Sequence, residues 1–129
     1  MTSETPAARS PRRHHDLVVW QRAIELVKII YRLTETLPEA ERFGLTAQMR
    51  RAAVSVPSNI AEGAARRSSK EFMQSLYVAR GSLAEIETQL TICRELGFCK
   101  DAAQLDQALT EVLALLGGLI RSLQSKSKQ

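Results

Sequence analysis

Gln48, Arg51, Ser55, Asn59, Glu62 and Arg66 recur three or four positions apart, so a helix through this segment gathers them on one face. A face of amide, hydroxyl, carboxylate and guanidinium groups has more chemistry than solubility requires. Guanidinium groups grip phosphate oxygens in pairs, and Asn or Gln amides can read base edges or riboses. The simpler alternative is a set of surface pairs such as Glu62–Arg66 at i,i+4, each worth about 0.2–0.5 kcal/mol. Charge favours attention to this stretch. The net charge is +4, and between Arg42 and Lys70 the basic residues Arg42, Arg50, Arg51, Arg66, Arg67 and Lys70 face only Glu62. Such clustering can be the electrostatic footprint of a polyanion, and it can equally be a solvated helix face. The side chains expected to touch phosphate are Arg50, Arg51, Arg66, Arg67 and Arg80, with Lys70 a weaker contributor. Aromatics are only 5% of the chain, and the exposed stacking platforms usual in single-strand readers are not expected. Phosphate contact with little sequence specificity would then dominate.

Catalytic chemistry has little to work with. The chain holds no Gly-x-Ser-x-Gly elbow, no Walker loop and no His-Glu-x-x-His. Glu62 and Glu85 could form a carboxylate pair for a metal inside a bundle, but the Glu-x-x-His partners of such sites are missing, since the only histidines are His14 and His15. No enzyme activity, metal or cofactor is therefore expected. Cys93 and Cys99 fit no zinc or redox spacing, and Cys93 falls on a core stripe, which suits reduced thiols in a cytoplasm. The longest apolar run, Val112 to Ile120, is about half the ~18 residues that span a bilayer. The N-terminus lacks an apolar signal core, so neither membrane insertion nor secretion is expected.

The elements that must position these residues are helical. Residues 1–15 read as a disordered basic tail, residues 16–124 as one bundle, and residues 125–129 as a second disordered tail. Asp16 is a suitable N-cap for a first helix whose stripe is Leu17, Trp20, Ile24, Val27 and Tyr31. That helix should end near Thr36, because Pro38 disfavours helical geometry at Leu37. In the second helix Leu45, Met49, Ala52, Val56 and Gly63 keep one period with Pro57 inside it. A kinked continuous helix is preferred to a break, and Ser55 or a water should serve the carbonyl of Ala53 that Pro57 leaves without a donor. Ala47, Val54, Ser58, Ala61 and Ala65 lie opposite that stripe. They mark either a close backbone approach or plain helix propensity. A third helix carries Phe72, Leu76, Ala79, Leu83, Ile86, Leu90 and Cys93, capped by Ser69 or Ser68 and stopped at Gly97. Gly81 in its middle costs about 1 kcal/mol against alanine, so something should pack closely there. A fourth helix opens at Asp101 and carries Leu105, Leu109, Val112, Leu116, Leu119 and Leu123. Its further apolar residues Leu113, Leu115 and Ile120 suggest a second buried surface between subunits. The expected fold class is all-α, an antiparallel up-and-down four-helix bundle with the second helix kinked at Pro57.

Three segments carry a resemblance: His15 to Ala23, Phe43 to Gly63 with its Arg-Arg-Ala-Ala-Val-Ser-Val-Pro-Ser-Asn-Ile-Ala-Glu-Gly string, and Ala79 to Leu90. In that order they closely resemble the bacterial four-helix bundle proteins first known from reading frames inside intervening sequences of 23S ribosomal RNA genes. The likeness runs from about His15 to Leu123. It implies a left-handed bundle that assembles as a homopentameric ring, similar to the accessory variability proteins of diversity-generating retroelements, which bind nucleic acid and a reverse transcriptase. The matching positions are Gln48, Arg50, Arg51, Ser55, Pro57, Asn59, Glu62, Gly63, Arg80, Gly81, Ser82 and Glu85. The function expected is that of an oligomeric nucleic-acid-binding accessory protein, on RNA or on RNA and DNA. The alternative is a protein-interaction scaffold, for a partner such as a reverse transcriptase, without direct nucleic-acid contact.

Overall fold

The computed structural model describes residues 14–127. Four α-helices make the fold: α1 (Val18–Thr34), α2 (Leu45–Ala64), α3 (Ser69–Glu95) and α4 (Ala103–Ser127). A 3₁₀ turn, Glu39–Glu41, lies between α1 and α2. Among the described residues there is no strand. The helices pack in chain order, α1 on α2, α2 on α3, α3 on α4, and α4 back on α1, with no close backbone approach across either diagonal among the described residues. That is the closed up-and-down bundle expected, because short connections make sequential helices antiparallel neighbours.

The third helix is the plainest case. Its whole expected stripe, Phe72 through Cys93, is buried. The Ser68 hydroxyl oxygen accepts the Glu71 N–H at 3.1 Å, so one of the donors a helix start leaves unpaired is satisfied. At the other end Gly97 takes φ +74°, and the Phe98 and Gly97 N–H groups donate to the carbonyls of Cys93 (2.9 Å) and Arg94 (3.0 Å). Only glycine adopts that left-handed turn without steric cost, and it closes the helix in a Schellman motif.

The first helix departs from expectation twice. Its N-cap is Leu17 in extended conformation, with no side-chain cap, so Asp16 does not fill that role. Residues 14–16 wind into a 3₁₀ turn, the His14 carbonyl accepts the Leu17 N–H at 3.0 Å, and the extended cap position therefore falls one residue later. The His14 and His15 rings sit against Trp20, 5.1 and 4.9 Å between centroids, which places both histidines in this turn although the tail was expected to include them. The buried stripe is Val19, Ala23, Leu26, Ile30 and Thr34, while Leu17, Trp20, Ile24 and Val27 are half-buried and Tyr31 is exposed. Both stripes repeat at 3-4 spacing about 100° apart, and the one with small residues at Ala23 and Thr34 lets the neighbouring helices approach. The same shift touches α4, where Ile120 is buried and Leu119 only half-buried. Leu113 and Leu115 pack partly against the core, so within one chain α4 already uses much of its wide apolar face.

α2 runs unbroken through a buried Pro57. The Ser55 hydroxyl donates to the carbonyl of Ala52 at 2.9 Å rather than to that of Ala53. Between α2 and α3 the helices pack tightly at Gly63, where an added Cβ would stand 2.8 Å from both Phe72 Cδ1 and Ser75 Cβ and 3.2 Å from the Phe72 carbonyl oxygen. The core between the four helices holds Leu26, Ile30, Met49, Ile60, Leu76, Leu83, Ile86, Leu105 and Leu116, all almost fully buried. Each such side chain contributes about 1.5–3 kcal/mol of apolar burial. Cys93 and Cys99 are buried free thiols. Burial first, and then the neighbouring Cys99, push the Cys93 thiol up to about 11, so it is not a nucleophile at neutral pH. Among the described residues no helix is long and apolar enough to cross a membrane.

Candidate nucleic-acid interface

Helical spacing and the antiparallel register bring the polar row of α2 to its seam with α3. Midway along, the Ser55 and Ser82 hydroxyls share a hydrogen bond across the two helices. The Asn59 amide donates to the Ser55 carbonyl at 2.8 Å, so its N–H is turned onto its own helix. Nearer the end of α2, Asn59, Glu62 and Arg66 line a shallow groove of about 320 Å³ with Glu71, Gln74, Ser75 and Val78 of α3. Gln48, Arg51 and Glu85 are exposed. Gly81 is exposed too, and nothing lies within 4 Å of where its Cβ would be. The close contact expected there is absent among the described residues.

The six side chains expected on phosphate do not form one patch. Arg50 is a half-buried clamp on the neighbouring helix: its Nε donates to Thr34 Oγ1 at 2.8 Å, and its guanidinium carbon lies 4.5 Å from the centre of the Tyr31 ring. Arg80 belongs to the other side of α3, lying 4.9 Å from the centre of Tyr77, whose hydroxyl accepts a hydrogen bond from Gln124 of α4. Arg66 reaches Glu62 at 3.4 Å in an exposed i,i+4 pair. Exposed Arg51 makes no ion pair or side-chain hydrogen bond among the described residues, and the same holds for Arg67 and Lys70 at the α2–α3 turn. The fold adds a cation that sequence spacing did not find. Lys126, near the end of α4, lines a pocket of about 400 Å³ with Arg67, Ser68, Ser69, Ser122 and Asp16 over an apolar floor that includes Phe72 and Leu123. The signal for it was the antiparallel order itself, which returns the end of α4 to the end of α2.

The expected lack of aromatic platforms is also corrected. Tyr31, Phe43 and Tyr77 are exposed, Phe43 at 86%, and each carries a guanidinium at its ring, Arg42 standing 5.3 Å from the centre of Phe43. Low aromatic content bounded their number without saying which were solvent-facing.

Elsewhere the electrostatics serve architecture. Arg94 and Asp106 tie α3 to α4, and hydrogen bonding to Arg94 holds the Asp106 carboxyl below its ordinary range. Burial and then His15 lower the His14 imidazole. Among the described residues no group of three or more His, Cys, Asp or Glu side chains could hold a metal ion.

A closed four-helix bundle with a polar seam between α2 and α3 defines the class. The chain belongs to the 23S rRNA-intervening sequence protein family, whose model matches residues 15–118. That span takes in α1, α2, α3 and most of α4. A comparison with curated proteins finds no match.

Proposed function

We propose that the chain is a non-enzymatic, cytoplasmic nucleic-acid-binding accessory protein that works as a closed homo-oligomer and grips RNA, or RNA and DNA alike, through phosphates. The observation that carries this reading is a set of exposed cations that make no ion pair among the described residues: Arg51 on α2, Arg67 just past its end, Lys70 in the first turn of α3, and Lys126 in the pocket that Arg67 also lines. Repeating the group once per subunit would turn a chain of net charge +4 into a strong field on one face of an assembly. The family name supports an RNA-linked genetic setting. Five subunits is the number the resemblance implies.

Filter binding of RNA and DNA homopolymers across a salt series tests the reading. Replacing Arg51 and Arg67 together should weaken binding to all sequences and flatten the logarithmic salt slope by roughly one unit per lost phosphate contact. Salt-independent binding, or a double variant that loses assembly while each remaining oligomer binds as before, would overturn it. Light scattering that reports a 14.4 kDa particle at micromolar concentration would overturn the oligomer.

The protein-scaffold reading has its own support. Exposed Val54 and Val78, the small side chains of Ala47, Ser58 and Ala61, and the open Gly81 give α2 and α3 an outer surface on which a second backbone could lie closely. That surface suits self-assembly as well as a foreign partner, so it adds to nucleic-acid binding rather than replacing it.

A further inference from the structure

We infer that Phe43, with the guanidinium groups of Arg42 and Arg50 near it in the chain, is a base-stacking subsite for single-stranded nucleic acid; the inference rests on the nucleic-acid reading above and narrows its ligand to strands with unpaired bases. Phe43 is the most exposed large apolar side chain among the described residues, at 86%. The backbone that carries it is fixed. Arg42 N–H donates to the Glu39 carbonyl at 3.0 Å, Gly44 N–H donates to the Glu41 carbonyl at 3.0 Å, and the Glu41 carboxylate accepts the Leu45 N–H at 3.1 Å, capping α2. A loop tied at both ends of Phe43 presents the ring outward in an ordered position, which lowers the entropy lost when something stacks on it.

The cations beside the aromatic rings select the occupant. Arg42 stands 5.3 Å from the Phe43 ring centre, and Arg50, in the second turn of α2, lies 4.5 Å from the Tyr31 ring centre. Arg50 is held there by Thr34 Oγ1 at 2.8 Å and the Tyr31 carbonyl at 3.3 Å. Ring faces and guanidinium planes are the two surfaces on which proteins stack unpaired bases, and the positive charge suits the phosphate that follows each base. Arg42 also reaches Glu39 at 3.6 Å, an exposed i,i+3 pair that a phosphate can replace at small cost. From Phe43 the polar row of α2 runs on from Gln48 to Arg66, about 27 Å at 1.5 Å per residue.

The test compares Phe43→Ala, Phe43→Tyr and the unaltered chain on one oligonucleotide carrying 2-aminopurine and on its fully paired duplex, by fluorescence anisotropy and by quenching of the analogue. Phe43→Ala should weaken the single strand about 5- to 100-fold and abolish quenching, with duplex affinity unchanged and Phe43→Tyr close to the original. The exposed site predicts unchanged melting, which circular dichroism checks. Equal loss on both probes, or no loss on the single strand, would overturn the subsite while leaving phosphate binding intact. Dissociation of the oligomer by Phe43→Ala would also overturn it, making Phe43 a contact between protein chains. If the unaltered chain binds neither probe, the nucleic-acid reading and this one fall together.

Discussion

The two seams on opposite sides of the bundle are closed by different means. Between α2 and α3 the helices meet through Gly63, Ser55, Ser75 and Ser82, with a backbone approach that a single Cβ would block. Between α1 and α4 the bridge is the long pair Arg22–Glu111 at 3.4 Å, beside an open groove of about 750 Å³. Small residues allow shape-matched packing that tolerates no added atom, whereas long charged residues span a gap and adapt. Ser55, Asn59 and Gly63 of the Arg50–Gly63 string lie on the tight seam. These residues therefore build the bundle first: Gly63 sets the approach, Ser55 joins Ser82 of α3, and Asn59 binds its own backbone. Gln48, Arg51, Glu62, Arg80, Gly81 and Glu85 are left facing solvent.

The sharpest way to break this contrast is Gly63→Val. Its branched side chain would overlap Phe72 and Ser75, and overpacking of this kind costs about 1–3 kcal/mol or more. Urea denaturation should show a large loss of midpoint, and a loss under ~0.5 kcal/mol would mean that the seam opens easily. Arg50→Ala comes next. It removes the bond to Thr34, leaves that buried hydroxyl only its own helix carbonyls, and uncovers Tyr31, for a loss of about 1–2 kcal/mol by the same measurement. Arg50→Lys should recover little, because an ammonium lacks the planar fork that serves Thr34 and the Tyr31 carbonyl together. Ser55→Ala and Ser82→Ala should each cost about 1 kcal/mol, and the double variant little more than either alone. Full additivity would show that the two hydroxyls do not depend on one another.

How much of this was legible beforehand depended on what fixes each feature. The stripe of α3 and its stop at Gly97 were readable because periodicity, capping and a left-handed glycine all agree there. α1 was misphased because two apolar stripes of equal period compete, and the choice is made by the neighbours that pack on Ala23 and Thr34. The row on α2 could be read as one face, since that needs only one helix. That Arg50 turns to α1, Arg80 toward α4, and Lys126 joins Arg67 depends on how helices are placed against one another, which spacing within a helix does not encode. Exposure of Phe43 is likewise a tertiary fact, as a phenylalanine in a short connection is more often buried.

The weakest effect belongs to the open seam and completes the comparison. Arg22 and Glu111 are each about half exposed, with side-chain exposures of 51% and 47%. Water and salt screen such a pair, and holding two long side chains in one geometry costs rotamer entropy, so exposed pairs are worth about 0–1 kcal/mol. Arg22→Ala should shift the urea midpoint by no more than a few tenths of a kcal/mol, and high salt should erase even that difference. Its sign can be sharpened with Glu111→Gln and the double variant, whose coupling isolates the pair from the other contacts of the arginine stem in the groove it lines. A coupling above ~1 kcal/mol would mean that the α1–α4 seam is held by a defined ion pair, and the contrast with the α2–α3 seam would then be one of chemistry alone and not of strength.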